Sequence, residues 1–144
     1  RMKKFVFILI FCLSTLSFSH VEPSKEISPF IESSPTYESV YMVCKMYNLE
    51  CPEIVVAQSV LETGHYKSQQ CLQHNNLFGL YDSKNKRYYR FDHWTHSVLA
   101  YKQKVQYRYK GGDYYEFLRK IGYAEDSLYV EKVKLIQKRL ENDI

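Results

Sequence analysis

The chain has 144 residues, 20 of them basic and 16 acidic, with 16% aromatic residues and only five glycines and four prolines. That length predicts one domain, and the composition excludes a low-complexity, collagen-like or mainly disordered chain. Arg1, Lys3 and Lys4 precede every acid; without them 17 basic residues face 16 acidic ones, so the formal charge of +4 implies no basic surface for nucleic acid.

Residues 5–18, FVFILIFCLSTLSF, form an apolar run behind Lys3 and Lys4 and end in Ser17-Phe18-Ser19, a small-x-small pattern. This reads as a secretory signal peptide over 1–19, the run being too short for a spanning helix, which is the alternative. The expected mature chain is exported, to the periplasm or beyond, with no membrane segment left. Cys12 would leave with the signal, and Cys44, Cys51 and Cys71 would remain. Three thiols allow at most one internal disulfide, whose pairing the spacing does not decide, and the spacing matches no zinc pattern.

Residues 20–36 hold three Pro and four Ser and read as a linker or a surface arm. The domain is expected over 37–144. Val40, Val43, Cys44 and Tyr47 follow helical spacing from Tyr37. Pro52 suits the first turn of a second helix, which should stop near Gly64. LFGLY (77–81) and RYYRF (87–91) flank the polar DSKNK, a β-hairpin pattern. Thr95 can cap a third helix. Asp113, with Glu116 in a capping box, starts a fourth. Asp126 can cap a last helix over 127–141 with a Val130, Val133, Ile136 and Leu140 stripe. The expected fold is mainly α, five helices or so, with one small hairpin after the second.

The second helix carries the sharpest chemical signal. Ile54, Ala57 and Leu61 cluster on one side, and the remaining arc holds Val55, Gln58, Ser59 and Glu62. No Lys or Arg lies between Pro52 and Tyr66. A narrow polar stripe with one acid reads as a cleft wall, with Gln58 facing ligand. Glu62 falls in the last helical turn, where the helix dipole disfavours negative charge, and partial burial acts the same way. Both keep the carboxyl protonated, as a general acid requires. A solvated helix-end Glu is the plainer alternative. Fourteen Tyr and Trp94 fit a glycan cleft, although each Tyr taken singly is better explained by packing.

AQSVLETG (57–64), NNLFGL (75–80), FDHWTHSVLAY (91–101) and IGYAEDSLYVEKV (121–133) come in that order. Together they resemble the glucosaminidase family, glycoside hydrolase family 73, and more closely its short, secreted, single-domain members of Bacteroides-type bacteria. The resemblance covers residues 38–137. It implies a lysozyme-like helical bundle with a small β-lobe, and cleavage of peptidoglycan at the β-1,4 bond after N-acetylglucosamine, by a monomer that needs no cofactor or metal. It implies that Glu62 is the proton donor, that Asn75, Asn76, Phe78 and Gly79 form the cleft wall, and that Tyr123 lies near Glu62. It makes Tyr129 a second aromatic of that segment, more a packing residue than a ligand contact.

Many family members carry a second acid, often Glu, in the β-lobe. Here the segment between Leu80 and Phe91 has only Asp82, with Asp92 just after it. Asp82 is the first candidate for a catalytic partner, its alternative being turn capping. Without a second carboxylate, substrate assistance by the N-acetyl oxygen becomes the expected route, with Tyr123 steadying the positive charge. His65, His74, His93 and His96 lie near these motifs, but their spacing is poor for a metal. Lys102, Lys104, Arg108 and Lys110 read as a solvated helix face that could attract acidic peptide stems or teichoic groups. A lytic transglycosylase, or a module that binds glycan without cutting it, are the competing readings.

Overall fold

The structure, a computed structural model, describes residues 28–142. The signal peptide expected over 1–19, and the first part of the arm, lie outside the described residues.

Helix α1 spans Tyr37–Met46. Thr36 caps it by accepting from Ser39 N, and Ser39 Oγ accepts in return from Thr36 N at 2.8 Å, a capping box with Ser in the third position. It buries Val40, Val43 and Cys44. Helix α2, Pro52–Glu62, starts with Pro at its first position, where no amide hydrogen is needed. Residues 54–60 of α2 are all buried. Thus α2 is the central helix, with α1 and α6 packed against it. The polar arc read as a cleft wall is mostly interior: Gln58 and Ser59 are fully buried, and Ser59 Oγ bonds Val56 O at 2.7 Å and the Tyr66 hydroxyl at 2.9 Å.

Gln69–His74 form α3, a short helix outside the sequence reading. Ser68 caps it through Cys71 N, and Asn75, in the left-handed region at φ 50°, ends it. The hairpin is smaller than expected. Strands β1 (Tyr81–Asp82) and β2 (Arg87–Tyr88) pair antiparallel, Tyr81 opposite Tyr88 and Asp82 opposite Arg87. Residues 76–80 do not join this ladder because one side chain ties them into a loop. Asn76 Oδ1 accepts from Leu80 N at 3.0 Å, while its Nδ2 donates to Leu80 O at 2.9 Å and Tyr89 O at 3.1 Å.

Helix α4 is Trp94–Lys104. His93 caps it, not Thr95: the His93 ring accepts from Thr95 N, and Thr95 itself is buried. The helix gives way at Gln106–Arg108 to a 3-10 turn rather than running to Gly111. Asp113 caps α5 (Tyr114–Lys120) through Tyr115 N and Glu116 N, whereas Glu116 turns away from the cap to pair with Arg119. Helix α6 is Tyr129–Asn142, two residues later than expected, since Asp126 holds a turn by accepting from Leu128 N at 2.9 Å. Val130 and Val133 are buried from its apolar stripe. The arm lies on α4: Trp94 Nε1 donates to Ser33 O at 2.8 Å, and Phe30 meets the Trp94 ring edge-on at 6.5 Å. The result is a mainly α, lysozyme-like bundle with a two-stranded lobe.

Asn76 is buried, as are its two bonds to Leu80, while the bond to Tyr89 O is part-buried. Asn76→Ala should therefore lower the free energy of unfolding by about 2–4 kcal/mol. Urea denaturation checks this; a loss within about 0.5 kcal/mol, the range of neutral surface changes, would contradict it.

Candidate active site

Glu62 is the last residue of α2 and, among the described residues, the only carboxylate lining a cleft of about 770 Å³. Phe78, Gly79, Leu80, Tyr89 and Tyr123 share that cleft. Burial pushes the Glu62 carboxyl above the usual carboxylate range, and a hydrogen bond from Tyr129 pulls the other way. The α2 dipole adds to the upward push, as the carboxylate sits at the negative end.

Gly79 brings backbone onto this carboxyl. Its φ of +59° favours glycine, and a Cβ there would stand 3.3 Å from Glu62 Oε2. The loop 76–80 is thus pressed against Glu62, with Asn76 holding its shape from behind. Asn75 also works in the frame: its Nδ2 donates to Phe91 O at 3.0 Å and Asp92 O at 3.3 Å. The structure therefore gives Asn75 and Asn76 to the scaffold of the cleft wall rather than to its surface. Phe78 packs on Tyr101 with ring centroids 4.5 Å apart, and its carbonyl accepts from the Tyr123 hydroxyl at 3.1 Å. Tyr123 lies in the cleft beside Glu62, its hydroxyl held protonated by burial and by the carboxylate charge.

Gln58, expected to face ligand, is instead the centre of a buried chain. The amide of Gln106 is oriented by the backbone of Glu50, whose N–H donates to Gln106 Oε1 at 3.0 Å. Gln106 Nε2 must then donate, and it does so to Glu50 O at 2.7 Å and the Tyr114 hydroxyl at 2.8 Å. Tyr114 passes its hydrogen to Tyr101 over 2.9 Å. Tyr101 donates to Gln58 Oε1 at 2.6 Å, and Gln58 Nε2 donates to the Tyr129 hydroxyl at 3.1 Å. Tyr129, its oxygen already accepting, has its own hydrogen left for Glu62. Four successive hydrogen bonds beyond the Glu50 amide thus run in one direction and end at Tyr129, whose hydrogen is left on the Glu62 side. Tyr129 is buried and acts on Glu62 from within the core, not as a wall of the cleft.

Asp82 does not join this group. Its carboxylate accepts from Lys84 N at 3.1 Å, Asn85 N at 3.2 Å and Asn85 Nδ2 at 2.6 Å, which holds its pKa low. It lines a separate depression with His74, Arg87 and Arg90, while its neighbours Tyr81 and Ser83 face the cleft. Strand alternation explains the difference. Asp92 is exposed and likewise outside the cleft lining. The histidines are dispersed into local roles: His65 Nδ1 bonds the Tyr37 hydroxyl at 2.9 Å, and His93 caps α4. Among the described residues no group of three or more His, Cys, Asp or Glu could hold a metal. Cys44, Cys51 and Cys71 are free thiols, and burial raises Cys44 to about 12.

The cleft also contains residues that the sequence reading did not place there: Tyr81, Tyr89, Gln103, Lys104, Tyr107 and Arg108. Tyr81 at 49% and Tyr107 at 62% exposure stand out among them, since aromatic side chains left in solvent mark a binding surface better than buried ones do, and no local sequence signal separates them from the packed tyrosines.

Removing the Tyr129 hydroxyl takes a donor from the ionised form of Glu62. Tyr129→Phe should raise the Glu62 pKa, and Tyr101→Phe should raise it by a smaller amount, since it frees the Gln58 amide to turn over. Carbon-detected NMR titration of the Glu62 carboxyl reads both; an unchanged or lowered value in Tyr129→Phe would contradict the directed chain.

Residues 37–142 match a family model, Glucosaminidase, described as mannosyl-glycoprotein endo-beta-N-acetylglucosaminidase. No curated protein matches the chain significantly. The match spans α1 through α6 and includes Glu62, the loop over it and Tyr123, and the chain belongs to the glucosaminidase family of glycoside hydrolases.

Proposed function

We propose that this protein is an exported peptidoglycan hydrolase that cleaves the β-1,4 bond after N-acetylglucosamine, with Glu62 as general acid. The observation that carries the reading is the lone, half-buried carboxyl in the cleft, its proton affinity raised by burial and its Oε2 covered by the Gly79 backbone. The 5–18 apolar run supports export, and family membership supports the glycosidic reaction.

The chemistry follows from having one acid in the cleft. Glu62 gives its proton to the glycosidic oxygen as the bond to the anomeric carbon breaks. The substrate's own N-acetyl oxygen attacks that carbon, giving an oxazolinium intermediate without a second carboxylate. Glu62, now ionised, takes a proton from the water that opens the ring, and the configuration is retained. Tyr123 donates its hydrogen to Phe78 O, so toward the cleft it can only accept. An acceptor beside the reacting sugar suits the acetamido N–H, whose acidity grows as positive charge develops.

Glu62→Gln should fold normally and lose about 10²–10⁴-fold in turnover on purified peptidoglycan. A general acid works only while protonated, so wild-type activity should fall as pH rises through the Glu62 pKa, and that limb should lie above the ordinary carboxyl range. Turbidity clearance of sacculi across pH measures both. Substantial hydrolysis by Glu62→Gln would refute the assignment.

A further inference from the structure

Four cations lie between Lys102 and Lys110, and the fold separates them into two kinds. Lys102 Nζ is spent on Tyr47 O at 2.5 Å, and Lys110 Nζ bonds Tyr107 O at 3.2 Å. Lys104 and Arg108 instead line the same cleft as Glu62. Among the described residues neither has a carboxylate within ion-pairing distance; the ion pairs there belong to Arg119, Lys132 and Lys134. Each is set over an aromatic ring that also lines the cleft. Lys104 Nζ is 4.5 Å from the Tyr89 centroid, and the Arg108 guanidinium is 5.7 Å from the Tyr107 centroid. Stacking on a ring fixes a cation in place without neutralising it.

A cleft with two unpaired cations and one carboxyl has a net positive lining whether or not that carboxyl is ionised. A glycan chain by itself is uncharged and gives such a lining nothing to bind. The anionic groups of a peptidoglycan strand are the free carboxylates of the peptide stem, which hangs by an amide from the lactyl ether of the sugar next to the bond to be cut. We infer that Lys104 and Arg108 form a carboxylate subsite that makes the enzyme select stem-bearing, acidic glycan over neutral glycan. Tyr89 and Tyr107 hold the two cations at the wall, and the arginine can grip a carboxylate with two parallel hydrogen bonds. The inference rests on the peptidoglycan reading above.

The test uses sacculi freed of teichoic phosphate by hydrofluoric acid, either intact or with their carboxyl groups converted to amides. Wild type should show kcat/KM about five- to tenfold higher on intact than on amidated sacculi, as expected for two solvent-facing charge pairs, with the difference mainly in KM. The Lys104→Gln/Arg108→Gln double variant should bring that ratio close to one. Raising salt from about 0.02 M to about 0.5 M should do the same in wild type, since screening shortens the reach of the charges. Glu62→Gln protein, sedimented with the same sacculi, reads binding without turnover and should show the same preference for intact material. Equal binding of that variant to intact and amidated sacculi, or a double variant that keeps the wild-type ratio, would overturn the subsite. Charge-dependent binding with no cleavage by wild type would uphold the subsite and reject the hydrolase reading.

Discussion

Placing a carboxyl at the negative end of a helix and taking it partly out of water both oppose its ionisation. The rest of the domain is arranged around that cost at Glu62. Helix α2 can end there only because residues 54–60 are buried between α1 and α6, which leaves the helix no freedom to tilt its last turn into solvent. Gly79 then closes over Oε2 with bare backbone, a contact that any side chain would crowd. From the core side, a hydrogen-bond chain anchored at the Glu50 backbone runs to the Tyr129 hydroxyl and leaves its hydrogen for Glu62, an influence that opposes burial. Two opposing influences therefore set the proton affinity of one group.

The same arrangement explains why a second acid is absent from the cleft lining. The segment that could have carried one is a hairpin with two-residue strands. Its Asp82 is consumed by the turn that so short a connection requires. The cleft compensates with aromatic rings and with cations, a lining suited to binding and orienting a substrate that brings its own nucleophile and its own negative charge.

Much of the fold was legible because it rests on local signals. The spacing of Val40, Val43 and Cys44, Pro52 at a helix start and Asp113 at a cap each act within one or two turns of chain. Glu62 stood out for the same reason, as the one acid beyond the first turn of a helix that is otherwise largely apolar. What the sequence hid was long-range. Gln58 looks like a cleft residue on a helical wheel, and only the approach of Tyr101 and Tyr129, 43 and 71 residues away, turns it inward. Asn76 sits in a motif tied to the site, but its three bonds serve the loop. Helix α3 is six residues with no apolar stripe to announce it. The hairpin was overestimated because Leu77, Phe78 and Leu80 are buried by a side-chain-tied loop rather than by a strand, and burial pattern alone does not separate the two. Lys104 and Arg108 share a charged run with Lys102 and Lys110, and only tertiary geometry divides them.

The central claim is that Glu62, alone among acids in the cleft, drives hydrolysis after N-acetylglucosamine. Its most direct test is a digest of purified peptidoglycan, reduced with borohydride and read by mass spectrometry. Reduced N-acetylglucosamine ends are the predicted product. Reduced muramic ends, or 1,6-anhydro-muramic ends of the kind a lytic transglycosylase leaves, would contradict the account.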